Sequence, residues 1–296
     1  MAKVSRKGSA VSASLQQSAT QAAFSHASSR SSDGQPATQT DQAPGVAEVN
    51  DFLRLFCAAL LGLGAQTARV DRNAARIAGA FGCAVDLAVF PKHLMLSVTS
   101  LDGGERRTSV GSINAGVPDF RKVAGLNALG WSIVDECLSL EEARRRFHAI
   151  LCGQSYHPAC VRLMAACANA AFCRLFEGDA TAMALVFAAT LGAFYLRQLL
   201  VRWRVDGKIV FFCCAFSASM LAAPGVLFHW GSTPQTALAT SVLFLIPGIP
   251  LINAMLDIMD GHVLMGFSRM VQTSILIVCI ALGLALTMAL LGVNAL

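Results

Sequence analysis

Charged residues are scarce in this sequence. Only 14% of the 296 residues are Asp, Glu, Lys or Arg, and 55% are hydrophobic, whereas soluble domains carry about 25% charged residues. The formal net charge is +5, and the basic residues form neither a basic face nor a patch interleaved with aromatic residues, which argues against a nucleic-acid binder. Nearly all of the long uncharged runs lie after residue 158. The composition therefore predicts a polar N-terminal half and a membrane half.

Motifs for metal binding and catalysis are also missing. The ten cysteines include no Cys-x-x-Cys pair, which excludes the usual zinc-knuckle and thioredoxin patterns. One cluster of His and Cys residues could be metal ligands, but a proline interrupts it, and the spacing of the residues matches no closed or catalytic zinc site. That cluster consists of His148, Cys152, His157 and Cys160. No Gly-x-Ser-x-Gly motif occurs. We therefore predict no catalytic residues, no metal and no cofactor.

The first 155 residues fall into two predicted segments. Residues 1–45 are rich in Ser, Ala, Gln and Thr, which cannot bury a core, so a disordered tail is predicted. Residues 46–155 combine helical and strand-like periodicities and are predicted to form a small α/β domain. Its predicted helices are 46–63, 66–81, 120–137 and 139–151, and its predicted strands are 85–90, 93–99 and 106–113.

Residues 156–296 are predicted to form a membrane domain. Four runs contain no charged residue, and each is near or above the ~17–25 residues that cross a bilayer. A fifth, weaker run has Arg162 and Arg174 near its ends, where both could reach opposite interfaces. The predicted spans are 159–176, 180–200, 209–228, 234–256 and 268–292. The predicted fold is an α-helical membrane protein with about five transmembrane helices, preceded by the small α/β domain.

Basic residues concentrate in one short connection between these spans. Arg197, Arg202, Arg204 and Lys208 lie between the second and third spans, whereas residues 229–233 contain no Lys or Arg. By the positive-inside rule, the basic connection faces the cytoplasm. Counting the spans from this connection predicts that the α/β domain is cytoplasmic.

An interruption of the fourth apolar run is the most unusual feature of the chain. Pro247, Gly248 and Pro250 lie within four residues; proline removes a backbone donor, and glycine loosens a helix. The span is predicted to be kinked or interrupted, so that backbone groups could bind a ligand or an ion. A kink that serves only packing is the alternative.

Polar side chains follow the interruption. Asp257 could carry a coupling proton or pair with a substrate ammonium, and Arg269 could hold a substrate carboxylate. Both could instead mark the cytoplasmic interface, because they flank a short connection in which Asp260 also lies. Asn253 is either a ligand contact or a link between helices. The candidate substrate and proton path consists of Pro247, Gly248, Pro250, Asn253, Asp257 and Arg269.

Several stretches, taken in order, resemble the threonine/serine exporter family. The family's cytosolic domain has a turn of the form SGAETYRVE, matched here by residues 63–71, and a late helix of the form LSLEEA, matched by residues 138–143. Its membrane part has a PGxPL segment followed by Asp, Gly and Arg, matched by residues 247–251, Asp257, Gly261 and Arg269. The resemblance covers about residues 46–292 and implies a bacterial inner-membrane transporter.

Two departures from the family pattern bear on function. Gln66 stands where the family usually has Glu. The chain also ends after its fifth predicted span, whereas fused members continue into a second membrane half. It therefore resembles split members, which are associated with short dicarboxylates such as succinate, while fused members are associated with threonine and serine. Gln66, Arg69 and Asp71 form a possible small-molecule site in the α/β domain, with surface charge pairing as the alternative.

The residues and the resemblance together predict a transporter subunit and not an enzyme. It is expected to export threonine/serine-type amino acids or short dicarboxylates, coupled to the proton gradient. The expected partners are lipid, a second and smaller membrane subunit, and further copies of this chain; no nucleic acid is expected. One alternative is a membrane-tethered hydrolase-like enzyme, and another is a regulatory subunit of a transport complex.

Overall fold

The first part of the chain is an α/β region. The computed structural model describes residues 44–114, 116, 118–153 and 156–292, so residues 1–43 of the predicted tail lie outside the described part. The elements of the region are α1 (Val46–Gly62), α2 (Thr67–Ala80), β1 (Cys83–Val89), β2 (His93–Ser100), β3 (Arg106–Ser112), α3 (Phe120–Asp135) and α4 (Leu140–Cys152). Each helix and strand predicted for the region is present, with ends that differ only slightly.

A three-stranded antiparallel sheet in the order β1-β2-β3 packs against α1 and α2. Leu94, Leu96 and Val98 of the central strand are fully buried, because every second side chain of a strand points to the same face of the sheet. Phe52 of α1 and Phe147 of α4 meet edge to face in the same core, with ring centroids 5.9 Å apart. This core fixes the ends of α1 and α2, and with them the turn that joins the two helices.

The second part of the chain is helical. Its elements are α5 (Pro158–Leu175), α6 (Ala180–Arg202), α7 (Gly207–Ala222), α8 (Pro224–Leu227), α9 (Pro234–Thr240), a 3₁₀ turn (Leu243–Leu245), α10 (Gly248–Met259) and α11 (Val263–Leu291). Among the described residues, three stretches are long and apolar enough to cross a membrane: Ala180–Arg202, Gly207–Leu227 and Val263–Leu291. A bent pair, Pro234–Leu245 with Gly248–Met259, can provide a fourth. Helix α5 occupies the predicted span 159–176 but is not among these stretches.

Small and polar residues join α7 to α11. A Cβ atom on Gly283 would lie 2.7 Å from the carbonyl oxygen of Phe212, so glycine permits the close approach that membrane helices use for packing. Further along both helices, the hydroxyls of Ser219 and Thr287 are 2.6 Å apart. The contacts advance in the same direction on both helices, so α7 and α11 run parallel and begin at the same end of the bundle.

Asp179 ties two connections together at the opposite end. Its carboxylate accepts hydrogen bonds from the backbone amides of Ala182 and Ser232, both at 2.8 Å, and from the hydroxyls of Thr181 and Thr233. Hydrogen bonds to the charged form favour it. The donors, the Ala182 amide foremost, therefore hold the pKa of Asp179 well below its usual range.

We expect the D179N variant to lower the thermal midpoint by a few degrees at neutral pH, because an amide accepts these hydrogen bonds poorly. A carboxylate whose pKa is depressed in the folded state stabilises the fold at pH values above its ordinary pKa of about 3.9. This stabilisation is lost as the pH falls toward the lower folded-state pKa. The difference in midpoint between wild type and variant should therefore narrow below about pH 4. Thermal melts in detergent at neutral and acidic pH measure this, and an equal difference at both pH values would contradict it.

Candidate functional site

The predicted interruption of the fourth apolar run is confirmed. The two halves of the bent pair meet at 58°. Pro247 directly precedes α10, and Pro250 lies in its first turn. Amides in the first turn of a helix have no partner within the helix, so the N–H that proline lacks is not missed there. The Pro-Gly-x-Pro stretch therefore starts a new helix at an angle to the preceding one.

Asn169 binds a backbone group at the end of α9. Its Nδ2 atom lies 3.2 Å from the carbonyl oxygen of Thr240, the last residue of α9, and 2.8 Å from the hydroxyl of Thr190. All three residues are buried. The sequence analysis missed Asn169, although an asparagine within an apolar run is a known signal for hydrogen bonds between membrane helices. This backbone carbonyl thus has a protein donor at the end of α9.

A tight turn folds α11 back onto α10. Gly261 has φ of +88°, and the amide of His262 donates to the carbonyl of Asp257 at 2.8 Å, as in a left-handed C-terminal cap. Helix α11 begins at Val263, earlier than the predicted start at 268. Arg269 therefore lies within the helix, and the hairpin brings it alongside Asp257.

Asp257 and Arg269 form a buried ion pair. Arg269 Nη1 lies 2.7 Å from Asp257 Oδ2; the Asp257 side chain is fully buried, and 15% of the Arg269 side chain is exposed. Removing two charges from water is costly unless each is paired and hydrogen-bonded. The two charges are thus largely removed from water and bonded to each other.

The turn between α1 and α2, residues 63–66, completes the hydrogen bonding of this pair. The amide of Thr67, the first residue of α2, donates to Asp257 Oδ1 at 2.9 Å, and Arg269 Nη2 donates to the carbonyl of Ala65 at 2.9 Å. The C-terminal end of a helix carries a partial negative charge and the N-terminal end a partial positive charge. The anion thus lies beside the start of α2, and the cation beside the turn that follows α1.

Two more side chains bind the same turn to the α10–α11 hairpin. Asn253 Nδ2 donates to the carbonyl of Gly64 at 3.0 Å, and Gln66 Nε2 donates to Asp260 Oδ2 at 2.7 Å. Gln66 therefore makes a contact in which a glutamate would meet a like charge. We use the name turn–hairpin contact for the residues that make these bonds: Gly64, Ala65, Gln66, Thr67, Asn253, Asp257, Asp260 and Arg269.

The other residues predicted for the α/β site lie elsewhere. Arg69 and Asp71 are exposed, and neither takes part in the turn–hairpin contact. Asp71 lines a depression on the open face of the sheet with Asp86 and Arg106. The structure therefore brings Gln66 to the hairpin and separates it from the two neighbours with which it was grouped.

The turn–hairpin contact lies toward one end of the helical bundle. Arg269 precedes Gly283 by about 21 Å along α11 at the usual helical rise, in the direction of the end where α7 also begins. That end carries the basic connection between α6 and α7. This is the position that the interface alternative predicts, and the ion pair is buried there under the α1–α2 turn.

Gly266 lets α10 and α11 approach each other beside the ion pair. A Cβ atom there would lie 2.6 Å from Ile258 Cγ1, 2.7 Å from the carbonyl oxygen of Ala254 and 2.9 Å from the backbone nitrogen of Ile258. We expect G266A to separate the helices and to cost about 1–3 kcal/mol of stability, as overpacking does. Thermal melts of the variant measure this loss.

A matched control for this variant is G79A in α2. A Cβ atom on Gly79 meets nothing within 4 Å, and alanine favours a helix over glycine by up to about 1 kcal/mol. G79A should therefore be at least as stable as wild type. If G266A melts at the same temperature as G79A, the two helices do not depend on a glycine at residue 266.

Comparison with known families bears on the functional alternatives. The sequence model of a family described as "Putative threonine/serine exporter" matches residues 51–291. The chain belongs to this family. The match spans the α/β region and the membrane helices, including every residue of the turn–hairpin contact. Membership of an exporter family indicates membrane transport and points away from an enzyme.

Two similar proteins extend the comparison. A protein of Escherichia coli K12 named "Probable succinate transporter subunit YjjP" is 29% identical over 260 residues, which cover 86% of this chain and 98% of the relative. A protein of the same name from Klebsiella aerogenes is 29% identical over 239 residues, which cover 79% of this chain and 91% of the relative. No solved structure matches this chain. This chain is thus similar to both relatives over nearly the full length of each.

Proposed function

We propose that this chain is one subunit of a secondary exporter and works with a second, smaller membrane subunit. The two relatives that it matches over nearly their full length are named as transporter subunits. Only 17% of the most apolar stretch of α11 is buried within the described chain. A large apolar surface of this helix therefore remains for lipid and for a partner subunit. The partner supplies the membrane half that fused exporters carry in one chain.

The proposed arrangement places five helices in the bacterial inner membrane, with the α/β region in the cytoplasm. Gln198 Nε2 lies 3.1 Å from the carbonyl oxygen of Pro158, which supports α5 as a fifth span antiparallel to α6. Arg162 of α5 lies over the ring of Tyr195, 5.3 Å from its centroid, at the same end as the basic connection. The positive-inside rule assigns that end to the cytoplasm, and the α1–α2 turn contacts the α10–α11 hairpin there.

In the proposed mechanism, Asp257 is the coupling group and Arg269 binds an anionic group of the substrate. The observation that carries this assignment is the ion pair of Arg269 with the fully buried Asp257, next to a bent span. A proton on Asp257 removes the charge that holds Arg269, so that Arg269 can pair with a substrate carboxylate. Movement at the α9–α10 bend, where Pro247, Gly248 and Pro250 lie, then alternates access to the two sides.

Efflux of threonine, serine and succinate from cells tests this proposal. The cells produce this chain alone, the second membrane subunit alone, or both. We expect export only when both subunits are present, and the compound that leaves the cells identifies the substrate. No export of any of the three compounds, with both proteins present in the membrane, would favour the tethered-enzyme or regulatory alternatives.

A further inference from the structure

Thr67 has a buried hydroxyl with no hydrogen-bond partner among the described residues. The residue is fully buried, and an unpaired polar atom in the interior reduces stability. Ser109 Oγ and Asn169 Oδ1 are also buried and unpaired in the described chain. Thr67 differs from both because it belongs to the turn–hairpin contact.

Thr67 lies at the start of α2, where its hydroxyl finds no acceptor among the described residues. Within a helix, a threonine hydroxyl commonly bonds to a carbonyl three or four residues earlier. Thr67 is the first residue of α2, so those carbonyls belong to the turn, and the Gly64 carbonyl already accepts from Asn253. Valine would fill the same space without an unpaired polar atom, so folding alone does not account for the hydroxyl.

The backbone of Thr67 and the side chain of Arg269 already hold one carboxylate between them. Asp257 Oδ1 accepts from the Thr67 amide at 2.9 Å, and Asp257 Oδ2 accepts from Arg269 Nη1 at 2.7 Å. The start of α2 adds a partial positive charge that favours an anion. The same two donors can hold another carboxylate once Asp257 has left them, and the Thr67 hydroxyl, which bonds to neither oxygen of Asp257, remains as a third donor on the same residue.

We propose that Thr67 and Arg269 together bind the carboxylate of the transported compound, so that the α/β region forms part of the transport site. This inference rests on the proposed function. The carboxylate of Asp257 leaves the two donors, the substrate carboxylate replaces it, and the Thr67 hydroxyl donates a third hydrogen bond. A proton on Asp257 removes the charge that would otherwise stay buried without a partner. Succinate, threonine and serine all carry the carboxylate that this site requires.

The test compares T67V with T67S in inverted membrane vesicles that contain both subunits. Uptake of labelled succinate and of labelled threonine gives KM and Vmax. We expect T67V to raise KM about tenfold with Vmax nearly unchanged, the loss typical of one hydrogen bond to a charged group. T67S keeps the hydroxyl and should keep the wild-type KM. Without substrate, T67V should melt no lower than wild type, because it removes an unpaired polar atom.

Three outcomes would overturn the inference. A wild-type KM in T67V, with transport intact, removes the hydroxyl from the site and leaves the proposed function standing. A lower thermal midpoint and a lower Vmax in T67V at unchanged KM assign the hydroxyl to structure. Wild-type vesicles that transport neither compound contradict the proposed function and this inference together. Should T67V fail to reach the membrane, T67A provides the same comparison.

Discussion

Replacing Arg269 by glutamine is expected to abolish transport and to destabilise the fold by about 3–5 kcal/mol, the range for breaking a buried ion pair from one side. Asp257 is fully buried, and in the R269Q variant its charge would keep only the amide of Thr67 as a donor among the described contacts. The carbonyl of Ala65 would also lose the guanidinium that it accepts from. Thermal melts of the purified protein and efflux from cells with both subunits measure the two effects.

Two further variants separate the structural effect of Arg269 from its functional effect. The double variant D257N/R269Q leaves no charge buried, so its stability should return toward that of wild type while transport stays absent. R145Q removes an arginine whose side chain is 80% exposed and pairs with Glu142, and surface pairs of this kind contribute about 0–1 kcal/mol. An R269Q variant as stable as R145Q would show that the buried pair is not needed for folding.

Replacing Asp257 by asparagine is expected to abolish gradient-coupled efflux without loss of the protein from the membrane. Asparagine has the charge of a protonated carboxyl group but cannot take up or release a proton. In D257N, Arg269 would still donate to the carbonyl of Ala65, and part of its side chain would remain in contact with water. D257N should therefore be less destabilising than R269Q. Efflux assays and the amount of protein in the membrane fraction measure these effects.

The control for D257N is D260N, one turn further toward the connection. Asp260 is exposed and bonds to the side chain of Gln66, so its charge is not needed for coupling in the proposed mechanism. D260N should retain most of the efflux. Full efflux in D257N would remove Asp257 from the mechanism, and equal losses in both variants would assign the effect to the shape of the hairpin.

The elements that could be predicted from the sequence are those with local causes. The predicted helix 139–151 starts at Ser139, a residue type favoured at helix N-termini, and the Ser139 side chain accepts a hydrogen bond from the amide of Glu142. The Pro247–Pro250 stretch was predicted to interrupt a span, and α10 starts there. In both cases the physical reason lies within a few residues, in a side chain that binds the backbone or a ring that prevents a hydrogen bond.

The partners of the candidate site residues could not be predicted in this way. Thr67 lies 190 residues before Asp257, and no local pattern indicates that a turn of the α/β region binds a helical hairpin of the membrane part. The uncharged run that indicated the fifth span begins only after Arg269, whereas α11 begins at Val263. A charge that finds a buried partner can lie within a helix, and only the folded chain shows that Asp257 is this partner.

Transport driven by a pH gradient in proteoliposomes tests the central claim most directly. Both subunits are purified and reconstituted, and the flux of succinate and of threonine is followed with and without an imposed gradient. Wild-type protein should show a flux that responds to the gradient, and D257N should show no such response. A D257N flux that follows the gradient as in wild type, or no wild-type flux of either compound, would contradict the account.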